Sequence, residues 1–128
     1  MAGKIKIVTE STGEVYVELL EKNPKTLEAV LKALPIESTA LRWGDEVYFE
    51  TPVDVDEENS QEVVEMGDVA YWPPGKSICI FFGPTPASFT ENEIRPASPV
   101  NVFGKIIGDP KVFKKVKSGE KIRVEKAE

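Results

Sequence analysis

Apolar and polar positions along this chain alternate in short runs, and one early stretch departs to a helical spacing. From Lys4 to Thr9 the apolar Ile5 and Ile7 fall between Lys4 and Lys6, and from Val15 to Leu19 the apolar Val15, Val17 and Leu19 flank Tyr16 and Glu18. Ser11-Thr12-Gly13 lies between them, so the two runs predict a β-hairpin. Asn23 then stands as an N-cap before Pro24, and Leu27, Val30, Leu31 and Leu34 recur on one helix face until Pro35 stops the run. That spacing predicts an amphipathic helix with its apolar side on a sheet.

Strand patterns return from Thr39 to Trp43 and from Glu46 to Thr51, with Gly44-Asp45 as the turn, and again from Val69 to Trp72 before Pro73-Pro74-Gly75. Ser77 to Phe82 is almost wholly apolar, as befits a strand covered on both faces or lining a barrel. A proline-bearing surface loop follows over 87–99. Then come a strand at Val100 to Ile107, a short helix at Asp109 to Val116 and a last strand at Lys121 to Glu125. Many short strands separated by turn signals predict a mainly β barrel or sandwich, with about eight strands and two helices. The chain's 128 residues suit a single domain, residues 1–128.

Charge and composition then remove whole classes of function. Sixteen basic residues against 22 acidic ones give a net charge of −6, and no Lys or Arg stripe is present to track phosphates, so nucleic acid is not an expected partner. There is no histidine and one cysteine. Zinc sites and Ser-His-Asp chemistry are therefore not expected, no cofactor is called for, and no glycine-rich loop precedes a helix to cradle a phosphate. Cys79, inside Ile78-Cys79-Ile80-Phe81-Phe82, is expected to pack as a small hydrophobe. With no apolar leader and no apolar run near membrane-spanning length, a cytoplasmic location away from membranes is the expectation. Abundant Glu, Lys, Val and Ile beside a single glutamine is a bias found in thermophilic proteins. The acidic run Asp54-Val55-Asp56-Glu57-Glu58 reads as a solvated hairpin tip, since it lacks the Gly and Glu spacing of a calcium loop.

Val100-Asn101-Val102-Phe103-Gly104-Lys105-Ile106-Ile107, running into Asp109-Pro110-Lys111-Val112-Phe113-Lys114-Lys115-Val116, resembles the C-terminal signature of cyclophilins, and Asn23-Pro24-Lys25-Thr26 resembles the opening of their first helix. Three further runs, Trp43 to Phe49, Gly67 to Gly75 and Phe81 to Pro86, look like a family of small prokaryotic cyclophilin-like proteins of unknown function. That resemblance spans nearly the whole chain. It implies a cyclophilin-like closed β-barrel of about eight strands capped by two α-helices.

Ser38-Thr39-Ala40-Leu41-Arg42 resembles the cyclophilin segment Ser-Thr-Phe-His-Arg, whose arginine is the main catalytic group. The resemblance thus makes Arg42 a candidate catalytic residue, weakening amide resonance across a barrier of about 18–20 kcal/mol. Around it the match breaks down. Val47, Tyr48 and Glu50 stand where Phe, Met and Gln would be, and Val100 falls on the histidine position. Retained aromatics beside lost catalytic residues favour a binding module, with an aromatic groove for a small molecule or proline-containing peptide lined by Arg42, Glu46, Tyr48, Trp72, Phe82 and Phe103. Trp43 and Trp72 are candidate walls. The alternative is a weak or specialised peptidyl-prolyl isomerase using Arg42. Against both stand plainer readings. Arg42 is then a surface ion-pair partner, Glu46, Glu50 and Asp68 are solvent-facing members of their strands, and the aromatics are core.

Overall fold

The computed structural model describes residues 3–127. Its strands are β1 (Lys4–Thr9), β2 (Gly13–Leu19), β3 (Ile36–Thr39), β4 (Leu41–Arg42), β5 (Glu46–Glu50), β6 (Asp68–Trp72), β7 (Ser77–Phe81), β8 (Asn101–Ile106) and β9 (Lys121–Lys126), with one α-helix, α1 (Pro24–Ala33). All nine strands join one sheet in the order β3-β9-β1-β2-β8-β6-β7-β5-β4. The end strands β3 and β4 are consecutive in the chain and meet at Ala40, so the sheet curls into a nearly closed barrel. Fully buried Ala40 sits at that seam and extends the β3–β9 ladder, donating to Glu120 O at 2.7 Å and accepting from Gly119 N at 2.8 Å.

Period-two alternation decides which side chains fill the barrel. Ile5 and Ile7 of β1, Val17 of β2, Val47 and Phe49 of β5, Ile78 and Ile80 of β7, and Phe103 of β8 form one interior cluster. Burying a side chain of that size stabilises the fold by about 1.5–3 kcal/mol. The alternate residues of β6, β7 and β8 form a second cluster outside the barrel, where Ala70, Cys79, Phe81 and Val102 pack with Val64, Ile94 and Val100. The segments 61–67 and 84–100 cover that face, tied down by the bridges Gln61 to Val100 and Val64 to Ile94. This double burial explains the apolar reading of Ser77–Phe81, every residue of which is buried.

Two caps close the barrel ends. Helix α1 buries Thr26, Leu27 and Val30 where β8 begins. The predicted second helix is a 3-10 turn, Pro110–Lys115, at the end where β8 finishes. Asp109 starts it by accepting from Lys111 N at 3.0 Å, and six residues suffice to drive Phe113 into the core.

The N-terminus of α1 corrects two expectations. Asn23 precedes the helix but does not cap it with its side chain. It is fully buried, donating from Nδ2 to Val102 O at 2.7 Å and accepting from Asn59 N at 2.6 Å. The cap comes from Glu58, which accepts from the backbone N–H groups of Lys25 and Thr26, both at 3.1 Å. The acidic run is therefore not a hairpin tip. It is an irregular segment that crosses back over the sheet and delivers a carboxylate to the positive end of a helix. A cis peptide bond occurs at Leu34–Pro35, and neither Pro73-Pro74 nor Pro84 to Pro86 carries one.

Candidate functional site

Register on the outer face of the barrel creates a recess. Tyr48 of β5 lies opposite Cys79 of β7, and Cys79 lies opposite Ala70 of β6. Glu46, two residues before Tyr48, shares that face as a diagonal neighbour of Cys79. Small side chains at 70 and 79 sink the floor, while large ones stand around it. Trp43, Tyr48 and Trp72 form walls, Pro96, Ala97 and Val100 border it on the loop side, and this half-open recess measures about 230 Å³.

The surroundings hold these walls in place. Trp43 donates its N–H to Glu46 O at 3.0 Å, closing the turn between β4 and β5. Gly44 in that turn has φ +63° and faces Pro86 so closely that a Cβ would come within 2.7 Å of Pro86 Cδ, so only glycine fits. Trp72 Nε1 donates to Ser98 Oγ at 2.6 Å, and Gln61 and Val100 exchange backbone hydrogen bonds at 2.8 and 3.1 Å. The loop over the recess is thereby fastened on both sides.

Glu46 is the anomalous member. It is only 5% exposed, and no protein group donates to its Oε1. Burial pushes its carboxyl up from an ordinary value near 4.5 to about 7, with the nearby Cys79 thiol pulling weakly the other way. Cys79 is raised well above the usual thiol range, first by burial and then by Glu46. It stays protonated and unreactive at neutral pH, in keeping with a packing role. The expectation of solvent-facing carboxylates thus fails at Glu46 and at Asp68. Asp68 is 2% exposed, accepts from Glu65 N at 2.8 Å and lies 3.5 Å from Lys105 Nζ. Glu50 is exposed as expected.

Of the six residues singled out from sequence, Glu46, Tyr48 and Trp72 come together in the recess. Arg42, Phe82 and Phe103 do not. Phe103 is fully buried inside the barrel, and Phe82 packs there against Phe113 with ring centroids 6.4 Å apart. Arg42 lies over Phe82, its guanidinium carbon 5.1 Å from the ring centroid. Its Nε and Nη2 donate to Gly44 O at 3.2 and 2.9 Å, its Nη1 to Lys114 O and Val116 O at 3.1 and 3.0 Å, and Nη2 also approaches Asp45 at 3.7 Å. Four hydrogen bonds to main-chain carbonyls thus engage all three guanidinium nitrogens.

Cys79, Pro96, Ala97 and Val100 join the recess without having been chosen from sequence. A faint signal was present, because Val100 and Tyr48 occupy the positions matched to the histidine and methionine of an isomerase pocket. Among the described residues, no group of three or more Cys, Asp or Glu side chains is placed to hold a metal ion. Nor is any helix there long and apolar enough to cross a membrane.

An antiparallel, nearly closed barrel with a helix over one end and a lateral pocket on its outer face defines a cyclophilin-like protein. Residues 3–125 match the Cyclophilin-like family, and the chain belongs to it. A solved relative is the hypothetical protein AF2241 from Archaeoglobus fulgidus, whose solution structure superposes with a TM-score of 0.84 at 53% identity, covering 98% of this chain and 95% of that one. Among curated proteins none matches the chain.

Proposed function

We propose that the protein is a binding module whose ligand, a small molecule or a single side chain of a peptide, occupies the recess around Glu46. The carrying observation is the Glu46 carboxyl, buried with one oxygen unanswered in an otherwise apolar and aromatic cavity. Buried polar atoms are nearly always paired, and a group left without a protein donor is one kept for something that arrives from outside. The cavity is smaller than the roughly 300–1,000 Å³ of sites for drug-sized ligands, which favours a compact group. Binding is a better reading than catalysis because the recess offers no activated nucleophile and no imidazole: Cys79 is a protonated thiol, and the Tyr48 hydroxyl is the only other proton-transfer group lining it.

The test is a fragment titration followed by amide chemical-shift mapping. Shifts are expected to converge on residues 46–48, 72, 79 and 96–100. Saturable shifts confined to any other surface would overturn the reading. The isomerase alternative needs a free guanidinium at Arg42, whose three nitrogens each already donate to a main-chain carbonyl of the fold. A coupled Xaa-Pro isomerisation assay is expected to show no acceleration. Acceleration that vanishes in Arg42→Ala would restore that alternative.

A further inference from the structure

Resting on the pocket reading above, we infer that the recess takes an organic cation, a substituted or quaternary ammonium group, with Trp43, Tyr48 and Trp72 as its aromatic walls and the Glu46 carboxylate as its counter-charge. Aromatic rings attract cations through their quadrupoles, most strongly when water is excluded, and indole is the best of them. Two of the three walls are indoles.

Charge selects among ligand classes. Glu46, Tyr48 and Cys79 are the only ionisable side chains lining the recess, and none of them carries a positive charge. The nearby arginines are spoken for. Arg42 is bound to Gly44, Lys114 and Val116 carbonyls, and Arg95 pairs with Glu93 at 2.8 Å and covers the Phe89 ring at 4.4 Å. An anionic ligand would therefore meet an unpaired carboxyl with nothing to balance it. An uncharged apolar ligand would leave the buried Oε1 unanswered, as it already is. A cation resolves both difficulties, and the chain's net charge of −6 raises its concentration near the surface.

The same arrangement sets the pH behaviour. Tyr48 faces Glu46 from β5 and Cys79 from β7, while Trp72 of β6 and the Pro96, Ala97 and Val100 cover bring no titratable group. Asp45, next in the chain, faces Arg42, and Glu62 and Arg95 line a separate dent on the far side of Pro96 and Ala97. Burial holds the Glu46 carboxyl at about 7, and a cation binds its ionised form, so affinity rises with pH across the neutral range.

Both tryptophans of the chain line the recess, so intrinsic fluorescence reports on it directly. Choline is titrated against its uncharged carbon isostere, dimethylbutanol, at about pH 8 and about pH 5.5, on either side of the Glu46 transition. Choline is expected to bind roughly tenfold or more tightly than the isostere at the higher pH, with the preference shrinking severalfold at the lower. Glu46→Gln, shown to be folded by its thermal melt, is expected to lose the preference and keep whatever affinity the isostere has. Equal binding of the two probes, or a preference that survives Glu46→Gln, overturns the cation assignment and leaves the pocket standing. Failure of both probes on the folded protein also overturns it, and the fragment titration decides separately whether the pocket reading falls too.

Discussion

Arg42 and Glu46 are four residues apart, on either side of one tight turn, and their surroundings treat them in opposite ways. At the barrel end around Arg42 all three guanidinium nitrogens donate to main-chain carbonyls, from the turn, from Lys114 in the 3-10 helix and from Val116 just after it. In the recess around Glu46 a carboxyl oxygen is buried and matched by nothing in the chain. The first arrangement is how a fold uses a charge to join pieces distant in sequence. The second costs stability and is the pattern of a site. Resemblance pointed to Arg42 as the functional charge, whereas the hydrogen bonds tie Arg42 into the fold, and the proposed site rests on Glu46 instead.

The sharpest way to break this comparison is to remove Arg42. Arg42→Ala strips the hydrogen bonds to Gly44, Lys114 and Val116 and the contact with Phe82, and is expected to destabilise the protein by about 2–4 kcal/mol in denaturant titration. An unchanged midpoint would show that Arg42 is not the structural tie described here.

Glu46→Gln is expected to do the reverse. The folded pKa of Glu46 lies above its unfolded value, so between about 4.5 and about 7 the folded state holds a proton that the unfolded state releases. Stability therefore falls as pH rises through that window and levels off above it. Removing the charge should stabilise the protein by about 1–3 kcal/mol near pH 8 and by almost nothing near pH 4. A destabilised variant at the higher pH would mean that Glu46 is answered after all.

Glu58 provides a control carboxylate with the opposite sign. Burial pushes its carboxyl up, but the N–H groups of Lys25 and Thr26 and the Thr26 hydroxyl outweigh this and hold it below its ordinary value. Its contribution is therefore present above the unfolded pKa and is lost as pH falls through the folded one. Glu58→Ala is expected to cost about 1 kcal/mol at neutral pH, seen as a lower midpoint and faster amide exchange in the first turn of α1. The smallest effect belongs to Ser98→Ala. Losing the bond to Trp72 should cost about 0.5–1 kcal/mol and quicken exchange over residues 94–100 without moving that of the barrel strands.

These contrasts also separate what was legible in the chain from what was not. The β1–β2 hairpin and α1 were legible because alternation, helical spacing, Pro24 and Pro35 are local signals. The doubly covered β7 was legible from its unbroken apolar run. Glu58 was not, because its partners Lys25 and Thr26 lie more than thirty residues away and no periodicity links a carboxylate in an irregular segment to a helix end. Half of the recess was legible, since Trp43 stood out as an aromatic beside a turn and Glu46, Tyr48 and Trp72 sit on strands whose faces alternation separates. Phe103 is also a strand aromatic and Phe82 directly follows β7, but only three-dimensional register tells that their side chains fill the barrel while Cys79 and Val100 line its outside.

The seam at Ala40 has a consequence for life at high concentration. An open nine-stranded sheet would offer two ladders of unpaired backbone groups to any passing chain. Here the two terminal strands are four and two residues long and consecutive in the chain, so those ladders are short and adjoin each other at Ala40. The barrel offers a neighbouring copy almost no template on which to grow a shared sheet, and edge-to-edge aggregation has little to start from.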